Sequence, residues 1–503
     1  MTRGRLLALN ALSMLVANII AKVILFVGMV FLLQYLSPGL ESTYYLITAF
    51  GAIVALNFQD GMVSVTIRRI ATDLENGATH LGSLYFASMF LAITLGLITI
   101  PLSFLYAGSA LEGSGLQGEF ILSTCFLVLA YLVGYGYSCA GAGFKAYEKL
   151  YLEAILVVLQ AILNAAVLWY GTVQQWPLSR FFMWLCAANG IHSILAQIIL
   201  SAFVVSPKFN WSIPEAQGLI RESLRLGYAT LLRTIQDRIH PFFIDSFARH
   251  ELITQVSSSN QLLVQLKFIP LSVRPAIFPT IARKAEMDND DFQVFSIALM
   301  KFLYLVAIPL IILLIIARRE ILPLVTTVGP NFEIHYAMAL AIYPLVGWSV
   351  ILSFPSQVLR SLFIALKKPK FEFWTVFAGV AVLAFLDIVF IPTVGVIVCG
   401  YASIACEVTI LIFGLYLLRQ AGRALEIMTL FVHSTLCGIL VHLIAEYLYG
   451  LHWALGLASV LVLFPACVVL FRIISQREWE IIREIVKPGS SASHNNASNS
   501  TRQ

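Results

Sequence analysis

Apolar runs of about 20 residues recur from the N-terminus to Ile474, and no polar stretch between them is long enough for a soluble domain. A run of this length crosses a lipid bilayer as one α-helix. Of the 503 residues, 59% are hydrophobic and 12% are charged, whereas soluble domains carry about 25% charged residues. Because backbone groups inside a bilayer must form hydrogen bonds within the protein, the sequence predicts an all-α, multi-pass protein of the cell (inner) membrane.

The apolar runs predict about fourteen transmembrane helices. They cover residues 7–33, 43–66, 83–106, 119–140, 151–171, 181–205, 228–247, 252–279, 292–317, 336–366, 372–390, 394–418, 425–448 and 453–474. An even number places both termini on one side of the membrane, and loops on that side hold nearly all of the basic loop residues. The opposite loops hold only Arg180, Arg249, Arg318 and Arg319. The positive-inside rule therefore predicts that both termini are cytoplasmic.

A weak internal repeat indicates how the helices are grouped. Residues 144–171 resemble residues 363–395, a spacing of roughly 220 residues. The repeat predicts two pseudo-symmetric six-helix lobes, followed by two further helices. The predicted parts are an N-terminal lobe at 1–205, a cytoplasmic amphipathic linker at 206–227, a C-terminal lobe at 228–418, two extra helices at 425–474 and a cytoplasmic tail at 475–503.

Basic residues inside the predicted spans are the candidate binding groups. A Lys or Arg at the centre of a span costs about 2.5–3.5 kcal/mol, so it must face protein, water or an anion. Such basic residues concentrate in the stretch Tyr228–Thr280. The first two spans add the basic Lys22 and the acidic Asp60. We predict a substrate-binding cavity formed by Lys22, Asp60, Arg233, Arg238, Lys267 and Arg274.

The acidic residues offer partners for some of these cations. Asp237 lies four residues after Arg233 and is its natural ion-pair partner, and Asp60 could pair with Lys22. These pairs would leave Arg238 and Lys267 unpaired near mid-span. A purely structural set of ion pairs is the alternative interpretation.

Three carboxylates are candidates for ion coupling, and they are Asp60, Asp237 and Glu407, the last without an obvious basic neighbour. We expect Asp245, Asp387 and Glu446, at outer span ends, to be wetted. We also expect Lys301 and Arg360 to extend to the inner surface.

Signatures of enzymes are absent from the sequence. It has no P-loop, HExxH or GxSxG motif, and its histidines and seven cysteines do not follow metal-ligand spacing. We therefore expect no catalytic activity, cofactor, metal or nucleic-acid partner.

Four stretches resemble one transporter family. They are NFQDGMVSVTIRRIATD (57–73), FKAYEKLYLEAILVVLQAILNAAV (144–167), SSSNQLLVQLKFIPLSVRPAIFPTIAR (257–283) and residues 362–407, which contain FIPTVGVIVCGYASIACE. The chain resembles the Wzx-like polysaccharide-transporter branch of the multidrug/oligosaccharidyl-lipid/polysaccharide (MOP) flippase superfamily. This resemblance implies that spans 1, 2, 7 and 8 line a basic cavity that receives a pyrophosphate-linked sugar.

The expected function is therefore a flippase for a polyprenyl-pyrophosphate-linked oligosaccharide, moved from the cytoplasmic to the outer leaflet by alternating access. The expected partners are this anionic lipid, the membrane lipid and a glycan polymerase or glycosyltransferase. Two alternatives stay open. One is a cation-coupled antiporter of small molecules, and the other is a membrane subunit of a polysaccharide synthesis or export complex.

Overall fold

The computed structural model describes residues 3–54, 58–111, 115–208, 213–286, 289–325, 332–425, 428–471, 473–476 and 478–479. These residues form eighteen α-helices and two short 3-10 helices, without a β-strand among them. The α-helices are α1 (Arg3–Tyr35), α2 (Pro38–Val54), α3 (Phe58–Thr72), α4 (Gly77–Ala110), α5 (Gln117–Ala146), α6 (Leu150–Val173), α7 (Leu178–Phe203), α8 (Ile213–Arg238), α9 (His240–Phe247), α10 (Ile253–Leu263), α11 (Phe268–Glu286), α12 (Asn289–Ile316), α13 (Arg318–Val325), α14 (Phe332–Ala365), α15 (Pro369–Val394), α16 (Val398–Gln420), α17 (Met428–Leu451) and α18 (Trp453–Leu470). The 3-10 helices are His250–Leu252 and Val264–Lys267.

Eleven of the described helices are long and apolar enough to cross a membrane. They are α1, α4 to α7, α12 and α14 to α18. The prediction of an all-α, multi-pass membrane protein is therefore confirmed. The remaining predicted spans, 43–66, 228–247 and 252–279, coincide with α2–α3, α8–α9 and α10–α11. The count of fourteen spans and the cytoplasmic termini stay predictions.

The chain divides into two compact units. The first comprises Met1–Ser258, Pro323–Ala337 and Asp387–Val396, and the second comprises Ser259–Leu322, Met338–Leu386 and Ile397–Gln503. The predicted lobes, linker, extra helices and tail stay predictions as a division of the chain into domains.

In the first unit, α3, α4, α5, α7 and the first half of α8 share one core. Leu81, Phe144 and Leu200 are fully buried there. From Ile213 onward the predicted amphipathic linker forms the start of α8, and its Leu219 is buried in this core. Glu215 from the same turn accepts a hydrogen bond from Ser83 Oγ at 2.8 Å. The apolar face of this segment is thus covered by protein.

Helix α1 approaches α6 closely because it carries a glycine at the crossing. A Cβ atom on Gly28 would lie 2.9 Å from the Cα atom of Ala165 in α6. The hydrophobic effect does not drive helices together in lipid, so they associate through close packing. Small residues allow their backbones to approach this closely. This contact sets the position of α1, which also carries Lys22.

In the second unit, α12 packs against α17 and α18, and α12 and α14 contain two basic residues that we expected to reach the inner surface. That expectation stays a prediction for both. Lys301 Nζ lies 2.6 Å from a carboxylate oxygen of Glu478, and Arg360 Nε lies 2.8 Å from one of Glu372. All four side chains are largely buried. Each cation is therefore neutralised inside the protein.

Candidate functional site

The stretch Tyr228–Thr280 contains two helix interruptions, and the first lies at Arg238. Helix α8 ends at Arg238, Ile239 is not helical, and α9 begins at His240 with Pro241 next. Proline has no N–H and cannot bond to the carbonyl group four residues earlier, here that of Asp237. Arg238 is therefore positioned at the point where the helical hydrogen bonding stops.

The second interruption lies at Lys267. Helix α10 passes into the 3-10 turn Val264–Lys267, and α11 follows from Phe268. Pro270 removes the N–H that would bond to the carbonyl group of Leu266, and a 3-10 turn is a common way to close such a gap. In membrane proteins, interrupted helices are tolerated where the backbone is buried in protein or lines a water-filled cavity.

Arg238 belongs to a cluster of polar side chains inside the first unit. Its guanidinium group interacts electrostatically with Lys22 of α1, with Tyr44 and Tyr45 of α2, and with Tyr131 of α5. Lys22 is exposed, and Arg238 is half-buried. We call these five residues the basic cluster. It places two like charges, Lys22 and Arg238, within electrostatic reach of each other in predicted spans, where an exposed ammonium group is stable toward water or an anion.

The other predicted residues of the site are placed less completely. Arg233 and Asp237 lie one turn apart on α8, both half-buried, and their pairing stays a prediction. Asp60 lies in α3 and Arg274 in α11, but their side chains fall outside the part of the chain that the structure describes. The predicted Asp60–Lys22 pair therefore also stays a prediction.

Lys267 is not the unpaired cation that we expected. In the second unit its Nζ lies 3.8 Å from Oε1 of Glu407, and Glu407 is 2% exposed. Ser356 Oγ donates a hydrogen bond to Oε2 of the same carboxylate at 3.0 Å. The expectation that Glu407 has no basic neighbour is wrong for the same reason. A buried carboxylate requires a counter-charge, and folding supplies one from a distant part of the chain.

His240 and Asp387 form a buried pair that the sequence did not reveal. Nδ1 of His240 lies 2.7 Å from Oδ2 of Asp387, and the two residues are 3% and 0% exposed. Asp387 Oδ1 is buried without a hydrogen-bond partner among the described residues. The expectation that Asp387 is wetted is therefore wrong. The position of His240 beside Pro241, within a predicted span, was the sequence feature that marked this histidine. Nothing in the sequence linked it to an aspartate 147 positions later.

Asp245 was also expected to be wetted, and it is instead enclosed in a hydrogen-bond network. His250 Nδ1 lies 2.6 Å from Oδ1 of Asp245, and Tyr106 donates its hydroxyl hydrogen to Oδ2. Thr43 Oγ1 donates to the carbonyl oxygen of Gly39 and lies 3.1 Å from His250 Nε2. The network ties α9 and the following 3-10 turn to α2 and α4. By contrast, Glu446 is exposed, as expected.

Together the helices and the basic cluster define a multi-pass α-helical membrane protein that carries cations within its predicted spans. No protein-family model and no curated protein matches the sequence. Solved structures do match. The chain is similar to the lipid II flippase MurJ in an inward closed conformation, with a TM-score of 0.69, 14% identity and coverage of 91% of this chain and 98% of that chain.

Two further similar structures are transporters of one superfamily. A MOP superfamily transporter from Pyrococcus furiosus has a TM-score of 0.65, with 13% identity over 83% of this chain and 95% of that chain. An inward-facing multidrug resistance MATE family transporter of the MOP superfamily has a TM-score of 0.64, with 12% identity over 82% of this chain and 98% of that chain. This chain therefore has the fold of MOP superfamily transporters. The Wzx-like branch stays a prediction.

Proposed function

We propose that this chain is a flippase that moves a polyprenyl-pyrophosphate-linked oligosaccharide from the cytoplasmic to the outer leaflet by alternating access. Basic residues of a central cavity bind the phosphates, and the lipid tail stays in the bilayer. The observation that carries this proposal is the basic cluster, in which Lys22 of α1 and Arg238 at the end of α8 interact electrostatically.

The charges of the cluster fit a phosphate-containing ligand. Lys22 and Arg238 repel each other electrostatically. A pyrophosphate diester brings two negative charges and several acceptor oxygens to such a place. Arginine matches phosphate oxygens with two parallel N–H donors, and lysine binds them as a point charge. Tyr44 and Tyr131 add aromatic rings with hydroxyl groups beside Arg238.

The fold supports the same conclusion from a separate direction. One of the similar structures is the lipid II flippase MurJ. Transporters built from repeated bundles bind substrate near mid-membrane, often at interrupted helices, and expose it alternately to the two sides. Arg238 and Lys267 both lie at interruptions here.

The proposal is tested with purified protein in liposomes that contain a fluorescent polyprenyl-pyrophosphate saccharide in one leaflet. Transfer is read from quenching by a membrane-impermeant reagent. Each charge-assisted hydrogen bond contributes about 1.5–3 kcal/mol, which corresponds to roughly 10–100-fold in affinity. We therefore expect Lys22→Ala and Arg238→Ala each to lower transfer at limiting substrate by at least tenfold.

Arg68→Ala is the matched control, because Arg68 is a cation of the same unit with a 68% exposed side chain. It should transfer lipid at the normal rate. A double variant, Lys22→Ala with Arg238→Ala, that inserts normally and remains fully active would exclude the basic cluster as the binding site.

In cells, deletion of the gene should cause lipid-linked oligosaccharide to accumulate on the cytoplasmic leaflet.

A second candidate is a cation-coupled antiporter of small molecules. The buried carboxylates of Glu407 and Asp387, each beside a basic side chain, favour it because such groups can exchange protons. Efflux of a cationic dye driven by a proton or sodium gradient, without lipid transfer, would support this candidate over the flippase.

The third candidate is a membrane subunit of a polysaccharide synthesis or export complex. Stable co-purification with a glycosyltransferase or glycan polymerase, and no lipid transfer by the isolated chain, would favour it.

A further inference from the structure

The three tyrosines of the basic cluster differ in how much of each side chain is accessible. Tyr45 of α2 is 2% exposed. Tyr44 beside it is half-buried, its ring stacks on that of Phe182 at a centroid distance of 5.9 Å, and its hydroxyl group donates to Met29 Sδ. Tyr131 of α5 is instead 37% exposed. Of the three, Tyr131 therefore offers the most ring surface to a ligand.

The exposed surface of Tyr131 faces the inside of the protein. Its ring lies deep among protein atoms, as do the rings of Tyr44 and Tyr45. A side chain that is both surrounded by protein and accessible lines an internal space, because a lipid-facing side chain has protein on one side alone. One edge of the ring is held against α2, where a Cβ atom on Gly51 would lie 3.5 Å from Cε2 of Tyr131. The ring is thus supported on one side and open on another.

The surroundings of the Tyr131 ring are polar. Its hydroxyl group lies within electrostatic reach of the Arg238 guanidinium group and of the Tyr44 hydroxyl group. A hydrocarbon chain beside these groups would displace their water without replacing its hydrogen bonds, which is costly. A sugar avoids that cost, because its hydroxyl groups can form hydrogen bonds with them. Its C–H groups, whose hydrogens are partly positive, also suit the negative face of an aromatic ring.

We propose that Tyr131 stacks against the first sugar of the lipid-linked oligosaccharide while Arg238 holds the adjoining phosphate. This inference rests on the proposed function, which supplies the phosphate and the sugar bonded to it. The first sugar is joined to the pyrophosphate through one oxygen atom, so a ring beside the phosphate-binding cation reaches that sugar and not the distant ones. Tyr131 therefore selects the sugar nearest the lipid carrier and leaves the rest of the glycan free to vary.

The test compares short-chain probes that differ only in the sugar. They are geranyl pyrophosphate diesters that carry glucose, galactose or N-acetylglucosamine, and a matched diester with a methyl group in place of the sugar. All carry the same charge. Binding to the purified full-length protein is measured by isothermal titration calorimetry. We expect at least one sugar diester to bind the wild-type protein about three- to tenfold more tightly than the methyl diester.

Tyr131→Leu should abolish this preference without weakening the binding of the methyl diester. Tyr131→Met is a second variant without a ring, and it should behave in the same way. Tyr131→Phe should keep the preference, because stacking requires the ring and not the hydroxyl group. Tyr151→Leu is the matched control, since Tyr151 is an exposed tyrosine of the same unit, at the start of α6 and outside the basic cluster. It should bind every probe as the wild-type protein does.

The outcomes separate this inference from the proposed function. Equal binding of the sugar and methyl diesters, with both weakened by Arg238→Ala, overturns the stacking and leaves the proposed function standing. An equal loss for all diesters in Tyr131→Leu also overturns it, because the ring would then contact the lipid chain, and so does loss of the preference in Tyr131→Phe. A Tyr131-dependent preference that Lys22→Ala with Arg238→Ala leaves unchanged counts against the phosphate site of the proposed function. Wild-type protein that binds none of the probes counts against both.

Discussion

The buried pair of His240 and Asp387 permits a quantitative prediction. Asp387 is 0% exposed, its Oδ2 lies 2.7 Å from the imidazole Nδ1, and its Oδ1 has no hydrogen-bond partner among the described residues. In His240→Ala, therefore, the carboxylate would lose its hydrogen bond to the ring. Removing one member of a buried ion pair costs about 3–5 kcal/mol.

Asp387→Asn should cost less, because the amide keeps the shape of the carboxyl group and still offers an acceptor to the imidazole. A lost or weakened buried hydrogen bond costs about 1–3 kcal/mol. The melting temperature changes by about 2–4 °C per kcal/mol in domains of 150–250 residues. We expect His240→Ala to melt on the order of 10 °C below the wild-type protein, and Asp387→Asn a few degrees below.

The decisive comparison is a double variant, His240→Ala with Asp387→Leu, in which no charge is left behind. Replacing both members of a buried pair by apolar groups is often neutral. The double variant should therefore melt above the single variant His240→Ala, as measured by tryptophan fluorescence of the detergent-purified protein. A double variant that melts below the single variant would refute this reasoning.

Three further outcomes are expected. Gly28→Ala should lose about 1–3 kcal/mol of stability through overpacking against α6, while Gly134→Ala, which meets nothing within 4 Å, should be neutral or slightly stabilising in the same thermal assay. Burial alone would raise the pKa of Glu478, but hydrogen bonds from Lys301 and Ser475 hold that pKa below its ordinary value. The pair should therefore stabilise the protein above about pH 4.3 and lose its contribution as the pH falls through the lower pKa of the folded state. Glu478→Gln should remove this pH dependence, measured as melting temperature against pH. Arg68→Ala should cost less than about 1 kcal/mol despite its contact with Glu222, because its side chain is 68% exposed.

The membrane fold could be predicted from local properties of the chain. Eleven of the fourteen predicted spans coincide with helices long and apolar enough to cross a bilayer, because span length and hydropathy are properties of consecutive residues. The remaining three are spans 43–66, 228–247 and 252–279. The last two carry charges and prolines, visible in the sequence, which lower the hydropathy and interrupt the helices.

The partners of the charged residues could not be predicted in the same way. Lys267 meets Glu407, and His240 meets Asp387, across separations of about 140 residues, and no periodicity encodes such contacts. Of the two pairs predicted from sequence, Arg233 with Asp237 came from spacing along one helix, and Asp60 with Lys22 came from opposite charge in neighbouring spans. Asp245 and Asp387 were expected to contact water because they lie near the ends of predicted spans. Tertiary packing instead encloses both side chains.

Composition and apolar periodicity thus specify that this chain crosses the membrane many times as helices and that cations lie inside those helices. Both are properties of short segments in contact with lipid. Which cations meet a carboxylate and which meet each other depends on how distant helices pack. Packing gave Lys267 a buried acidic neighbour and placed Lys22 within electrostatic reach of Arg238. That difference arises from three-dimensional proximity in a medium of low dielectric constant.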